Sequence, residues 1–156
     1  MTPEQVQYGL ITVLILVACY TDLTIQKIKN WLTFPMMAGG SVLSFWLLDA
    51  WWAGAAGVLA AMLVCYFPWR TGVIKAGDVK MLMAAGALLG ARPAMLAMVW
   101  MLVIGVPTGL AVLWWKGRLG NLKKVAAREE VEVTVVAHAP VVGAGILVAM
   151  LWPDLV

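Results

Sequence analysis

Apolar residues in this chain come in long unbroken runs, ended by charges or by Pro and Gly, at about 6–22, 31–48, 52–69, 79–91, 93–115 and 137–152. Six such runs cannot all be hidden in one water-soluble core. Hydrophobic residues make up 63 % of the 156 positions and charged residues 12 %, where a soluble domain carries about 25 % charged. The expectation is all-α: a polytopic membrane helix bundle of about six transmembrane helices, forming one domain over 1–156 in a lipid bilayer. Several runs are short. A span of about 16 residues rises only about 24 Å, so it must thin the bilayer or stop where water enters the bundle. The 79–91 run is the shortest, and it begins directly after Asp78.

Charge placement sets an orientation. With the N-terminus outside, the inner loops are 23–30, 70–78 and 116–136. Together with Lys80 they hold Lys27, Lys29, Arg70, Lys75, Lys116, Arg118, Lys123, Lys124 and Arg128, which leaves only Arg92 of the 11 basic residues on the other side. Basic residues are retained on the cytoplasmic side, so both termini are expected outside. Tryptophans agree: Trp31, Trp69, Trp114 and Trp115 fall at the inner boundary, Trp46, Trp51, Trp52 and Trp152 at the outer one, and Trp100 deeper. The net charge of +3 is explained by topology, and no nucleic-acid partner is expected.

Other chemistries find little support. Cys19 and Cys65 lie inside apolar runs and suit packing rather than a disulfide or a metal site. Leu16–Cys19 resembles a lipoprotein cleavage box, but the preceding residues lack Lys and Arg and include Glu4, so a retained first helix is expected. The AAGALLG and GGSVLS stretches are read as close helix packing rather than phosphate loops. The polar 116–136 segment is read as a solvated, partly helical loop, His138 as a polar residue at the start of the last helix, and Met81, Met83, Met95, Met98 and Met101 chiefly as packing. No metal or organic cofactor is implied.

Two acids stand apart. Asp22 closes the first run and Asp78 opens the fourth, so this topology brings both to the inner boundary, whereas Glu4, Asp49 and Asp154 fall outside and Glu129, Glu130 and Glu132 in the long loop. Asp78 is adequately explained as a helix N-cap. Asp22 is harder to explain, because it meets the negative end of a helix dipole; pairing with Lys27 or Lys29 is the plain alternative. As a pair, the two carboxylates can share one proton, with one activating water while the other polarises a peptide carbonyl. The dipoles favour Asp22 as the protonated partner and Asp78 as the base, supported by Lys75 and Lys80.

At these residues the chain resembles the type IV prepilin peptidases, GxGD-type membrane aspartyl proteases, and especially their short Flp/Tad-type members. Asp22-Leu23-Thr24-Ile25-Gln26-Lys27-Ile28-Lys29-Asn30-Trp31-Leu32-Thr33 is similar to the family's first signature, an aspartate and polar loop followed by Ile-Pro-Asn-x-Leu-Thr. Ala76-Gly77-Asp78-Val79-Lys80-Met81-Leu82 is similar to the second. Ala139-Pro140-Val141-Val142-Gly143-Ala144-Gly145 is more weakly similar to the proline-led run of the last helix. Lys75 replaces the first motif glycine, Lys29 the usual proline, and Thr24 a common basic residue.

The resemblance implies an aspartyl endopeptidase with Asp22 and Asp78 catalytic. Gly77, Lys80, Asn30, Lys75 and Lys27 are the supporting or substrate-binding residues, and Asn30 caps the second helix. The implied partner is a pilin-like precursor whose short basic leader is removed at the cytoplasmic face of the bacterial inner membrane. Longer members carry a cysteine-rich zinc segment and N-methylate the product; with no CxxC pair here, cleavage without methylation is expected. The alternatives are a small proton-coupled transporter or channel-like bundle, with Asp22, Asp78 and Lys80 relaying protons, and a non-catalytic assembly subunit of a pilus or secretion machine. The oligomeric state is not encoded legibly.

Overall fold

A computed structural model describes residues 2–72, 74–115 and 138–152, so the loop expected at 116–136 lies outside the described residues. Among them are six helices: α1 (Pro3–Ile25), α2 (Asn30–Leu47), α3 (Ala53–Arg70), α4 (Ala76–Leu89), α5 (Ala91–Trp115) and α6 (Ala139–Leu151). Their ends fall within three residues of the runs read from the sequence. Three of them, α1, α3 and the Ala91–Val112 part of α5, are long and apolar enough to cross a membrane on their own; α6 is apolar but shorter.

α4 explains how a short helix can belong to such a fold. Its 14 residues rise only about 21 Å, less than the roughly 30 Å hydrocarbon thickness. It packs against α1, α2, α3, α5 and α6, and Met81, Leu82, Ala84, Ala85, Ala87 and Leu88 have no exposed surface. Protein, rather than lipid, surrounds it. The outer helices turn Leu16, Tyr20, Val42, Phe45, Leu63 and Phe67 outward, as a lipid-facing surface requires.

Lipid tails are as apolar as leucine, so burial of apolar area contributes little between helices in a bilayer, and close packing must hold the bundle. The small-residue stretches provide it. Gly57 of α3 and Gly86 of α4 meet backbone to backbone, with no room for a Cβ on either; Gly40 of α2 lies against Ala87, and Gly145 of α6 against Ala97 and Met101 of α5. Eight of the tryptophans are exposed, whereas Trp100 is partly buried.

Local sequence sets the ends. Thr2 and Gln5 form a capping box at the start of α1, with Pro3 in the first turn. Gly90 joins α4 to α5 at φ 89°, ψ −179°, a region essentially restricted to glycine that costs other residues about 1–3 kcal/mol. Gly90→Ala is therefore expected to destabilise the detergent-solubilised protein by that amount in thermal unfolding followed by circular dichroism. Gly39→Ala, inside α2 and facing open space, should instead be neutral or slightly stabilising.

Candidate active site

Asp22 lies in the last turn of α1, which continues to Ile25 and ends at Gln26 in the left-handed conformation. The Gln26 N–H donates to the Asp22 carbonyl. The Asp22 side chain is 3 % exposed, and its Oδ2 accepts the backbone N–H of Ala139 at 2.9 Å. Ala139 is the first residue of α6, so the positive end of that helix meets the carboxylate and offsets the unfavourable end of α1. The sequence pointed to Lys27 or Lys29 as the plain partner; the observed hydrogen bond goes to a helix amide.

Asp78 is held in a similar way. It is the third residue of α4 and 2 % exposed, and its Oδ2 accepts the Lys75 N–H at 3.1 Å, the carboxylate half of a capping box. Lys75 precedes the helix at φ −85°, ψ 155°, extended backbone open to any L-residue, so this position makes no conformational demand for glycine. Lys29 has φ −76°, close to the value a proline ring would fix. The two departures from the family signatures are thus conformationally ordinary.

Both carboxylates open onto one cleft of about 400 Å³, lined by Asp22, Gln26, Lys27, Ile28, Lys29, Asn30, Lys75, Gly77, Asp78 and Lys80. All seven positions singled out from the sequence are among these ten. The loop joining α1 to α2 forms one wall and the start of α4 the other. Lys80 ties the walls together: its Nζ donates to Asn30 Oδ1 at 2.9 Å and lies 5.6 Å from the centre of the Phe34 ring.

That contact corrects the expectation for Asn30. The N-cap of α2 is Lys29, without a side-chain cap bond, and Asn30 is the first helical residue; its amide oxygen is engaged by Lys80 instead. Asn30→Leu and Lys80→Met should therefore perturb one shared interaction. A double-mutant cycle on thermal stability is expected to give a coupling of about 0.5–1.5 kcal/mol, with the double variant less destabilised than the sum of the singles.

The sequence reading placed the start of α6 at His138 but did not anticipate that it reaches the aspartates. The Ala139 amide reaches Asp22, and His138, read as a polar residue at a span end, directly precedes it as the N-cap of α6. The available signal was Ala139-Pro140, since proline marks a helix start with open amides, but nothing in the sequence said which carboxylate those amides would meet. His138 also borders a second, apolar cavity of about 120 Å³ whose lining includes Ile74, Met101, Leu102 and Val142. Among the described residues, no group of three or more His, Cys, Asp and Glu side chains is placed to hold a metal ion.

The fold and cleft together define a helical membrane protein with two buried aspartates, from α1 and α4, converging at one end of the bundle. Residues 9–110 match the type IV leader peptidase family, and the chain belongs to that family. The match covers both aspartates, α1 from residue 9, all of α2 to α4 and most of α5, and stops before α6. No curated protein and no solved structure matches the chain.

Proposed function

We propose that this protein is a membrane aspartyl endopeptidase that removes the leader of a pilin-like precursor at the cytoplasmic face of the bacterial inner membrane, without methylating the new N-terminus. The observation that carries the reading is the shared cleft: two aspartates, remote in sequence and both nearly buried, open onto one space in a chain of the leader peptidase family. Water entering there meets both. One carboxylate takes a proton from the water as it attacks the scissile carbonyl carbon; the other donates its proton to the carbonyl oxygen. Collapse of the resulting diol breaks the C–N bond and returns a proton to the leaving amine. The products are a leader carboxylate and a free N-terminus.

The division of labour read from the dipoles does not carry over. Each carboxylate meets a helix N-terminus, α6 for Asp22 and α4 for Asp78, so the helix fields no longer assign the proton to Asp22. The pair is better treated as one titrating unit. Gly77 supports substrate access, since a Cβ there would meet Ile28 only at ordinary contact distance, 3.4 Å. The fold does not require glycine at that position, whereas a substrate strand passing over it does.

The cytoplasmic placement is supported by the basic residues of the 23–30 and 70–78 segments, parts of which border the cleft. The test is direct: the purified protein, reconstituted in lipid nanodiscs, is incubated with precursors of the pilin type, and intact mass spectrometry follows both fragments. A single cut at the leader junction with an unmodified new N-terminus is expected. Absence of any cut across a broad precursor panel, together with proton flux in vesicles, would favour the transporter reading.

A further inference from the structure

Threonine hydroxyls in this bundle follow one habit, with one exception. Thr12, Thr21, Thr24, Thr71 and Thr108 each donate to a backbone carbonyl about one turn earlier, at 2.7–3.1 Å, and Thr2 accepts the Gln5 amide as a helix cap. Thr33, in the first turn of α2, differs. It is fully buried, and its Oγ1 has no hydrogen-bond partner among the described residues. The Lys29 carbonyl, one turn earlier, takes the Thr33 amide and not the hydroxyl. An unpaired hydroxyl away from water is costly, and valine would fill the same space without that cost. Packing alone therefore does not account for a threonine here.

Its place in the fold lies next to the aspartates. α2 and α4 both start at the cleft, where Lys80 reaches Asn30, and further along Gly40 lies against Ala87, so the two helices run side by side in the same direction. Seven residues make nearly two turns. Counting back seven from each member of the Gly40–Ala87 contact puts Thr33 on the face of α2 turned toward α4, level with Lys80 and within one turn of Asp78. Asn30, one turn before Thr33, lines the cleft, as Asp78 does. Thr33 lies one layer below that lining, at the depth where Met81 and Leu82 are fully buried. Asp78 accepts the Lys75 amide through Oδ2, and a carboxylate has acceptor capacity for further donors.

Building on the peptidase reading above, we infer that Thr33 is a positioning residue of the aspartate pair: its hydroxyl holds a water molecule at the floor of the cleft, and that water bridges to the Asp78 carboxylate. Buried waters typically bind to buried polar groups that lack a protein partner, and a hydroxyl can both donate to such a water and accept from it. The bridge fixes how the carboxylate faces the attacking water and the other aspartate. Thr33 does not touch substrate, so its loss lowers kcat and leaves KM nearly unchanged.

Two substitutions separate the hydroxyl from the shape. Thr33→Val keeps the branched shape and removes the hydroxyl, whereas Thr33→Ser keeps the hydroxyl and removes a methyl group. The full-length protein in nanodiscs is assayed with a pilin-type precursor, and thermal unfolding is followed in parallel. Thr33→Val is expected to melt at or above the wild-type temperature while its kcat falls about 10–100-fold, the scale of a misplaced reacting group, with KM within about twofold. Thr33→Ser is expected to do the reverse: it melts lower because of the void left by the methyl group, yet cleaves within about threefold of wild type. Wild-type kcat in Thr33→Val would overturn this inference while leaving the peptidase reading standing. Equal loss of cleavage in both variants would also overturn it, assigning the position to packing. Failure of the wild type to cleave any precursor would defeat the peptidase reading, and this inference with it.

Discussion

Replacing either Asp22 or Asp78 with Asn should lower precursor cleavage by about 10²–10⁴-fold, the range for loss of a positioned acid or base, while the helical fold and its melting temperature change little. The reason for separating the two readouts lies in the hydrogen bonds. Each carboxylate accepts one backbone N–H, from Ala139 at 2.9 Å and from Lys75 at 3.1 Å, and the amide oxygen of Asn can accept the same bond. Asn removes charge and proton exchange while retaining the cap. Alanine removes the acceptor as well, leaving a buried N–H unpaired at a cost of about 1–3 kcal/mol, so Asp22→Ala and Asp78→Ala should lose both stability and cleavage. If the aspartates were helix caps alone, the Asn variants would cleave as wild type does.

The second large effect concerns the centre of the bundle. Gly57→Ala or Gly86→Ala places a methyl group against the facing helix backbone, where neither chain has a flexible side chain to move. Overpacking in a well-packed interior costs typically about 1–3 kcal/mol, and a backbone-to-backbone clash belongs at or above the upper end. Both variants should unfold at clearly lower temperature in detergent, or accumulate poorly in the membrane. Gly77→Ala is the contrast. The added methyl meets Ile28 at 3.4 Å, an ordinary contact, so stability should stay within about 0.5 kcal/mol of wild type. Cleavage should nevertheless fall if substrate passes over that glycine, and thermal unfolding beside a cleavage assay separates the two effects.

Much of this was legible from the chain alone, for identifiable reasons. Apolar runs ended by charge or Pro/Gly locate helices well when little else separates them, and α1 to α6 begin and end near the expected places. Asp22 and Asp78 were conspicuous because acids are rare at such boundaries. The spatial company they keep was not. That a 14-residue α4 sits in the middle of the bundle follows from Gly40, Gly57 and Gly86 contacts, which have no one-dimensional signature beyond a small-residue bias. Asn30 was read as a cap because its residue type favours that role, yet Lys80, 50 positions away, engages its oxygen first. Ala139 is similar, since a backbone amide carries no sequence label and its 117-residue separation from Asp22 is visible only in three dimensions.

The account stands on the two carboxylates acting as one catalytic unit. The most direct measurement is the residual cleavage rate of the Asp22→Asn/Asp78→Asn double variant beside the two singles, in one membrane preparation and with one precursor. Groups that act together are non-additive, so the double variant is predicted to cleave no more slowly than the worse single. Rates that instead multiply, with each substitution imposing its full factor on top of the other, would mean the aspartates work independently and would contradict the account.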